Sequence, residues 1–279
     1  MRVVIVGLGK SGTTALVYAV HAAMPAGTRM LFEPRRYIAL QANDVVAKVL
    51  LHPRFPIEHG FYRQFDKRVL LVRDPRDLLI SKALYRMFNA KSVLDDRTKL
   101  ERYLGLLRAK ESNPRSVSLS EINRAFQAMV GPTLHSDEGV QRLLRDYVAF
   151  HEAFPDAFVY RYEAMVESDY GALADYLDLQ ADAMRPVIPP GLNRVVRTRR
   201  AGNWRHWFCD EDVGHYRPLL ADYMQRYGYG DDWTLADHPH IERDECSGYV
   251  ERLVRERRGE AAPLPGRLQL PAKRAGASQ

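Results

Sequence analysis

The sequence contains only two cysteines, Cys209 and Cys246, and they stand in unrelated contexts. Two cysteines placed in this way can build neither a disulfide framework nor a four-ligand zinc site, so a reducing compartment is the default expectation. Long hydrophobic runs are also missing, because the apolar stretch near the start extends only from Val3 to Val6. That stretch is too short for a signal peptide or a membrane span. We therefore expect a cytoplasmic protein without an integral membrane segment.

A large excess of one charge is absent as well. The 279 residues carry a formal net charge of +6, and the calculated pI is near 9.3. This modest excess favours an anionic ligand and does not point to nucleic acid, so we predict no nucleic-acid partner. The length and the hydrophobic content predict one domain over residues 1–259. Residues 260–279 are rich in Pro, Gly, Ala and basic residues and are predicted to be a disordered tail.

Five short apolar runs predict the strands of a mostly parallel sheet. They cover residues 3–6, 29–32, 45–51, 68–72 and 158–162, with intervals long enough for crossover connections. A helical pattern begins at Thr14 and ends before Pro25 and Gly27. Residues 87–152 become helical and polar, and we interpret them as a helical insertion with amphipathic segments near 98–109, 119–130 and 138–154. The predicted fold class is α/β, with a parallel central sheet flanked by helices.

The loop after the first strand, Gly7-Leu8-Gly9-Lys10-Ser11-Gly12-Thr13-Thr14, fits two patterns. It spells the G-x-G-x-x-G of dinucleotide-binding proteins, and Glu33 after the second strand could be the acidic residue that binds a ribose hydroxyl. However, Lys10 and the neighbouring hydroxyls offer a cation and hydrogen-bond donors, which suit an anionic group that is being transferred. Lys10 precedes Gly12, so the full Walker pattern of P-loop enzymes is absent. A P-loop nucleotide kinase and a dinucleotide-binding protein remain the alternatives.

The segment from Gly9 to Thr14 resembles the 5′-phosphosulfate loop of sulfotransferases, commonly K-S-G-T-T. The resemblance implies a P-loop-like sulfotransferase fold, 3′-phosphoadenosine 5′-phosphosulfate (PAPS) as donor and 3′,5′-adenosine bisphosphate (PAP) as product. It also implies that Lys10 offsets charge on the leaving phosphate. The residues implied at the 5′ end of the donor are Lys10, Ser11, Gly12, Thr13 and Thr14. The tryptophan that often follows in the cytosolic branch is Ala15 here, so the residue that stacks on adenine stays open.

Two further segments resemble the 3′-phosphate elements of the same family. Residues 73–81 have the family's arginine and serine eight positions apart, as Arg73 and Ser81. An arginine at a strand end and a serine about two turns into the next helix can converge on one phosphate. Residues 197–205 resemble the family's R-K-G-x-x-G-D-W-K segment, which gives five more candidates for this site: Arg197, Arg199, Arg200, Ala201 and Gly202. Tyr162, in a segment similar to R-Y-E-D, is a further cofactor candidate.

Sulfuryl transfer needs in-line alignment, charge stabilisation and a base for the acceptor proton, and this chemistry requires no metal. Glu33 is the preferred base, since carbohydrate and tyrosyl-protein sulfotransferases resemble this sequence in having a glutamate there. A solvated carboxylate paired with Arg35 or Arg36 is the other role for Glu33. The cytosolic branch has a histidine two residues after a strand lysine, but Leu50 stands in that place after Lys48. His52 is therefore the less favoured base, and Lys48 is a candidate to assist at the sulfonate.

The acceptor is not identified by the sequence. We expect a small molecule, a lipid or a glycan that offers a hydroxyl or an amine, with its contacts supplied by the helical insertion. The oligomeric state stays open.

Overall fold

A five-stranded sheet forms the centre of the computed structural model, which describes residues 1–34, 38–52, 57–131 and 136–260. Its strands are β1 (Arg2–Gly7), β2 (Arg29–Phe32), β3 (Val45–Leu50), β4 (Lys67–Val72) and β5 (Phe158–Arg161). They lie in the order β2-β3-β1-β4-β5, and every neighbouring pair is parallel. Each apolar run that was predicted to be a strand is a strand. The α/β class with a parallel sheet is confirmed.

Strand β1 is covered on both faces. Val3, Val4, Ile5 and Val6 have no exposed surface. Val4 and Val6 belong to one hydrophobic cluster, whereas Val3 and Ile5 belong to another. Successive side chains of a strand point to opposite faces, so one cluster lies on each side of the sheet. This burial explains why the sequence shows a continuous apolar run and not an alternating one.

Helices account for most of the remaining described residues. The α-helices are α1 (Thr13–Ala23), α2 (His59–Tyr62), α3 (Pro75–Tyr85), α4 (Lys91–Leu94), α5 (Arg97–Ser112), α6 (Leu119–Val130), α7 (Asp137–Ala153), α8 (Tyr162–Val166), α9 (Gly171–Leu177), α10 (Trp204–Trp207), α11 (Asp210–Arg226) and α12 (Ser247–Arg258). Short 3₁₀ helices cover Arg86–Asn89, Ala181–Ala183, Pro190–Val195 and Arg243–Glu245. The three predicted amphipathic segments correspond to α5, α6 and α7. In the part of the chain that the structure describes, no helix is both long and apolar enough to span a membrane.

The carboxyl edge of the sheet gathers the segments that were predicted to form a site. The glycine-rich loop follows β1, Glu33 follows β2, Arg73 follows β4 and Tyr162 follows β5. Ligands of open parallel sheets bind at this edge. The strand order 2-3-1-4-5 differs from the 3-2-1-4-5 core of the dinucleotide-binding fold. The topology therefore disfavours the dinucleotide alternative.

The predicted division into one domain and a tail stays a prediction. All of the predicted tail except Glu260 lies outside the described residues.

Candidate functional site

A cavity of about 1380 Å³ opens at the carboxyl edge of the sheet. Pockets for one small ligand usually measure about 300–1,000 Å³, so this cavity has room for two ligands. The predicted site residues that line it are Lys10, Gly12, Thr13, Thr14, Glu33, Lys48, Arg73, Ser81, Tyr162, Arg197 and Arg199. The predicted residues that do not line it are Ser11, His52, Arg200, Ala201 and Gly202. The structure thus brings six segments that are distant in sequence to one cavity.

The shape of the glycine-rich loop depends on a close approach at Gly12. This residue precedes α1 with a φ of 101°, and a Cβ there would lie 2.6 Å from Cδ2 of Tyr162. Lys10 also has a positive φ, 77°, which is uncommon for a residue with a side chain. The Ser11 hydroxyl donates to the carbonyl of Leu8 at 2.8 Å, so it stabilises the loop from inside. The first turn of α1, which has no side-chain cap, therefore lies at the cavity as a potential anion site.

The ammonium group of Lys10 lies between aromatic rings and backbone. Nζ donates to the carbonyl of Val195 at 2.6 Å and to the hydroxyl of Tyr249 at 3.3 Å. It also lies 4.1 Å from the ring centroid of Tyr85. Burial lowers the pKa of Lys10 well below its usual value, and the charge of Arg73 lowers this pKa further. An anion next to Lys10 would oppose both effects.

Arg73 and Arg197 are buried near each other, and some of their N–H groups have no hydrogen-bond partner among the described residues. They are only 4% and 8% exposed. Nη1 of Arg73 donates to the Lys10 carbonyl at 2.8 Å, and Nη1 of Arg197 donates to the Glu245 carbonyl at 3.3 Å. Among the described residues, Nε of Arg73 and both Nε and Nη2 of Arg197 have no hydrogen-bond partner. Burial and the nearby charge of Arg73 lower the pKa of Arg197. Two buried like charges with unused N–H groups indicate a site for an anion.

Asp77 connects the two arginine segments. It is fully buried in the first turn of α3, and its carboxylate accepts the backbone N–H of Gly202 at 2.7 Å and that of Trp204 at 2.9 Å. Burial raises the pKa of Asp77, and the charge of Arg73 opposes this rise. These contacts hold the loop that follows Arg197 against the helix that carries Ser81. The N–H of Gly202 therefore has a partner within the protein.

Tyr162 lies beside the glycine-rich loop and beneath an arginine. The guanidinium carbon of Arg73 lies 4.1 Å from the Tyr162 ring centroid. The ring therefore contacts the guanidinium group of Arg73 and helps to position it. The sequence did not predict this contact. Glu163, the next residue, accepts the backbone N–H of Asp74 at 2.9 Å and the hydroxyl of Tyr229 at 3.0 Å, so the ends of β4 and β5 are joined.

Glu33 and Lys48 form an ion pair beside the glycine-rich loop. Nζ of Lys48 lies 2.5 Å from Oε1 of Glu33 and donates to Oγ1 of Thr14 at 2.8 Å. Burial lowers the pKa of Lys48, and the hydrogen bond with Glu33 opposes this effect. The Glu33 side chain is 43% exposed and its φ is 50°. A carboxylate held in the left-handed region at a cavity is typical of a functional residue.

The alternative pairing of Glu33 with Arg35 or Arg36 involves residues outside the described ones. The partner that the structure shows for Glu33 is Lys48. His52 is half-buried after β3 and is not among the described residues that line the cavity.

Helices form a further part of the cavity wall. Lys82 and Tyr85 of α3, Arg86 and Asn89 of the following 3₁₀ helix, and Arg142 of α7 contribute to it. Sequence reasoning assigned this wall to the helical insertion as a whole and named none of these residues. In the described ranges, no three His, Cys, Asp or Glu side chains form a group that could hold a metal ion.

No family model and no curated sequence matches the chain. Among solved structures, the chain is similar to mouse sulfotransferase SULT7A1 in complex with PAP. The TM-score is 0.48 and the identity is 15%, over 81% of this chain and 85% of that chain. A similarity at this level carries no property of that protein over to this chain.

Proposed function

We propose that the chain is a sulfotransferase that moves a sulfuryl group from PAPS to a hydroxyl or amine acceptor. The observation that carries the proposal is that Arg73 and Arg197 are buried with unpartnered N–H groups, while Nη1 of Arg73 donates to the Lys10 carbonyl of the glycine-rich loop. The anion-binding groups come from two sets of segments. Lys10 and the first turn of α1 form one set, and Arg73, Ser81 and Arg197 form the other. A nucleotide with phosphates on both sides of its ribose matches two such sets better than the single chain of phosphates in ATP.

The residues of the cavity fit the whole donor. The first set would hold the 5′-phosphosulfate, and the second would hold the 3′-phosphate. The adenine ring needs an apolar surface, and Ala15 cannot supply it. Met165, Val166, Pro186 and Ile188 line the same cavity and offer that surface. We therefore assign adenine contacts to these side chains and a positioning role to Tyr162.

The ion pair of Glu33 and Lys48 offers a base for the proton that the acceptor loses. Bound PAPS would supply the sulfuryl group, and the acceptor must lose a proton as it is sulfated. Lys48 engages Oε1 of Glu33, so the acceptor proton would move to Oε2. Once Glu33 is neutral, the ammonium of Lys48 is released from its counter-ion and can stabilise negative charge beside Thr14. Lys10 would stabilise the charge on the phosphate side.

A transfer assay tests the proposal against its alternative. The enzyme is incubated with sulfur-labelled PAPS or with γ-labelled ATP and Mg²⁺, together with phenols, glycans, lipids and small metabolites as acceptors. We expect label to move from PAPS only. Label moving from ATP and not from PAPS would establish a P-loop kinase instead.

Replacing Asp77 by Asn should weaken PAP binding by about tenfold without abolishing the fold. The substituted amide presents an N–H group to a backbone N–H, and losing one buried hydrogen bond costs about 1–3 kcal/mol. The loop after Arg197 would then dock less firmly on α3. Calorimetric titration with PAP measures the effect. Asp96→Asn, at a partly exposed helix cap outside the cavity, is the control and should bind PAP like the wild type. Equal affinity in both variants would contradict the positioning role of Asp77.

PAP binding should take up a proton at pH values between the lowered pKa of Lys10 in the free protein and its higher pKa in the complex. The pKa of Lys10 is lowered in the free protein, and a bound phosphate raises it. Between the two pKa values, the complex holds one more proton, so affinity falls as the pH rises. Titrations in buffers of different ionisation enthalpy measure this uptake. Lys10→Arg should remove most of it, since a guanidinium stays charged. An unchanged uptake in that variant would assign the proton to another group.

A further inference from the structure

The described residues that line the helical end of the cavity include more cations than carboxylates. Among the described lining residues, the donor side has five cations and one carboxylate, and PAPS brings a charge of roughly −4. On the helical side, the described lining residues include four cations, Lys82, Arg86, Lys91 and Arg142, and one carboxylate, Glu138. If PAPS neutralises the donor side, the cations of the helical side remain in excess. This side is the part of the cavity that is left for the acceptor.

One side of α3 connects the two ends of the cavity. Ser81, Lys82, Tyr85, Arg86 and Asn89 line the cavity at the spacing of a single helical face. At a rise of about 1.5 Å per residue, Arg86 lies roughly 7–8 Å beyond Ser81 along the axis. The charge of Lys82 contributes to the lowered pKa of Lys10, so Lys82 lies within electrostatic range of the donor loop. Lys82 therefore stands between the donor segments and the helical end.

Neither Lys82 nor Arg86 is fully paired within the protein. The Lys82 ammonium has no hydrogen bond or ion pair among the described residues, and burial alone lowers the pKa of Lys82 to about 8. Arg86 is 6% exposed, and its Nη1 and Nη2 donate to Asn123 and to the Ile122 carbonyl at 2.7 and 3.2 Å. Its buried Nε has no partner in the described part of the chain. Arg86 is thus held rigidly with one donor unused, and Lys82 is held at the cavity with no counter-ion.

We propose that the acceptor carries its own anionic group, a phosphate, sulfate or carboxylate, and that Lys82 and Arg86 bind this group. The inference rests on the proposed sulfotransferase function and names the acceptor class. A neutral phenol or sterol would leave the Lys82 ammonium desolvated and unpaired, which is unfavourable. An anion would pair with it and would fix the acceptor by a charge-assisted contact on the α3 side of the cavity. The hydroxyl or amine to be sulfated would then face Glu33.

The test is a calorimetric titration of the full chain, saturated with PAP, with inorganic pyrophosphate. We expect one further anion to bind, with an affinity that falls at least about tenfold in Lys82→Gln because a charge-assisted contact is lost. Lys82 has no partner, so this substitution should leave the melting temperature near that of the wild type. Lys99→Gln is the matched control, since Lys99 pairs with Asp96 outside the cavity and should not affect the second anion.

Three outcomes would overturn the inference. In the first, no second anion binds to the PAP-saturated chain. In the second, Lys82→Gln binds pyrophosphate as tightly as the wild type does. In the third, Lys48→Gln loses pyrophosphate binding and Lys82→Gln keeps it, which would assign the anion to the sulfonate position. Failure of PAP itself to bind would instead count against the proposed function, so the two failures are distinguishable. The source of the anion is decided by comparing glycerol 3-phosphate with phosphatidylglycerol vesicles. Lys82-dependent binding of the former indicates a soluble acceptor, and binding of the vesicles alone indicates a lipid.

Discussion

Replacing Glu33 by Gln should lower the rate of sulfuryl transfer by about 10²- to 10⁴-fold, the usual contribution of a general base. The amide keeps the size of the side chain but cannot accept the acceptor proton. Glu33 pairs with Lys48 and not with Arg73 or Arg197, which would hold the 3′-phosphate. The affinity for PAP should therefore stay within about threefold of the wild type. Single-turnover kinetics with labelled PAPS, together with a PAP titration, separates the two quantities.

His52→Gln is the matched control for this experiment, because His52 is the other base that the sequence suggested. It should retain nearly full activity, since His52 does not line the cavity. A fully active Glu33→Gln variant combined with an inactive His52→Gln variant would reverse the assignment.

Replacing Arg197 by Met should weaken PAP binding by about 100-fold, while the melting temperature of the free protein stays the same or rises. A hydrogen bond between charged groups contributes about 1.5–3 kcal/mol, and Arg197 has two unused donors for the ligand. Without ligand, burial and the charge of Arg73 outweigh the attraction of Asp77 and Glu245 and lower the pKa of Arg197, so an apolar side chain at this position should relieve an unfavourable buried charge. A loss of PAP affinity without a loss of thermal stability would indicate that Arg197 contributes to binding and not to the stability of the fold.

Arg200→Gln is the control for Arg197→Met. Arg200 belongs to the same basic segment, but its guanidinium is exposed and pairs with Glu245 at 2.5 Å. This variant should change neither PAP affinity nor melting temperature appreciably. A loss of PAP affinity in Arg200→Gln that equals the loss in Arg197→Met would mean that the segment acts only through its net charge.

Much of the architecture could be predicted because its signals are local. A strand that is buried on both faces needs an unbroken apolar run, and each of the five runs became a strand of the parallel sheet. The ends of β1, β2, β4 and β5 then had to meet at one edge. This is why Lys10, Glu33 and Arg73, although distant in sequence, could be predicted to share a site.

The features that sequence reasoning missed depend on contacts between distant segments. Asp77 is one of several acidic residues near a helix start, and nothing local shows that it accepts two N–H groups from the loop at Gly202 and Trp204. In the sequence, Lys82 resembles any other helical lysine, and only the structure shows the cavity beside it. Gly202 was assigned to the ligand from its segment alone, yet its N–H binds Asp77.

Two residues with positive φ border the transfer site and are not glycine. Lys10 and Glu33 have φ values of 77° and 50°. Such conformations cost of order 1–3 kcal/mol and persist when surrounding contacts impose them. Here the backbone N–H of Glu33 donates to the carbonyl of Lys48 at 3.0 Å, and the Lys10 carbonyl accepts from Arg73 at 2.8 Å. The same residues that would bind the donor thus also fix the backbone of the two proposed catalytic groups.

The most direct test of the central claim compares ligands of the free protein by calorimetry. PAP, 5′-AMP, ATP with Mg²⁺ and NADH are titrated separately under the same conditions. We expect one PAP site per chain, with 5′-AMP bound at least about 100-fold more weakly because it lacks the phosphate that Arg73 and Arg197 would pair with. Tight binding of ATP or NADH without binding of PAP would contradict the proposed function.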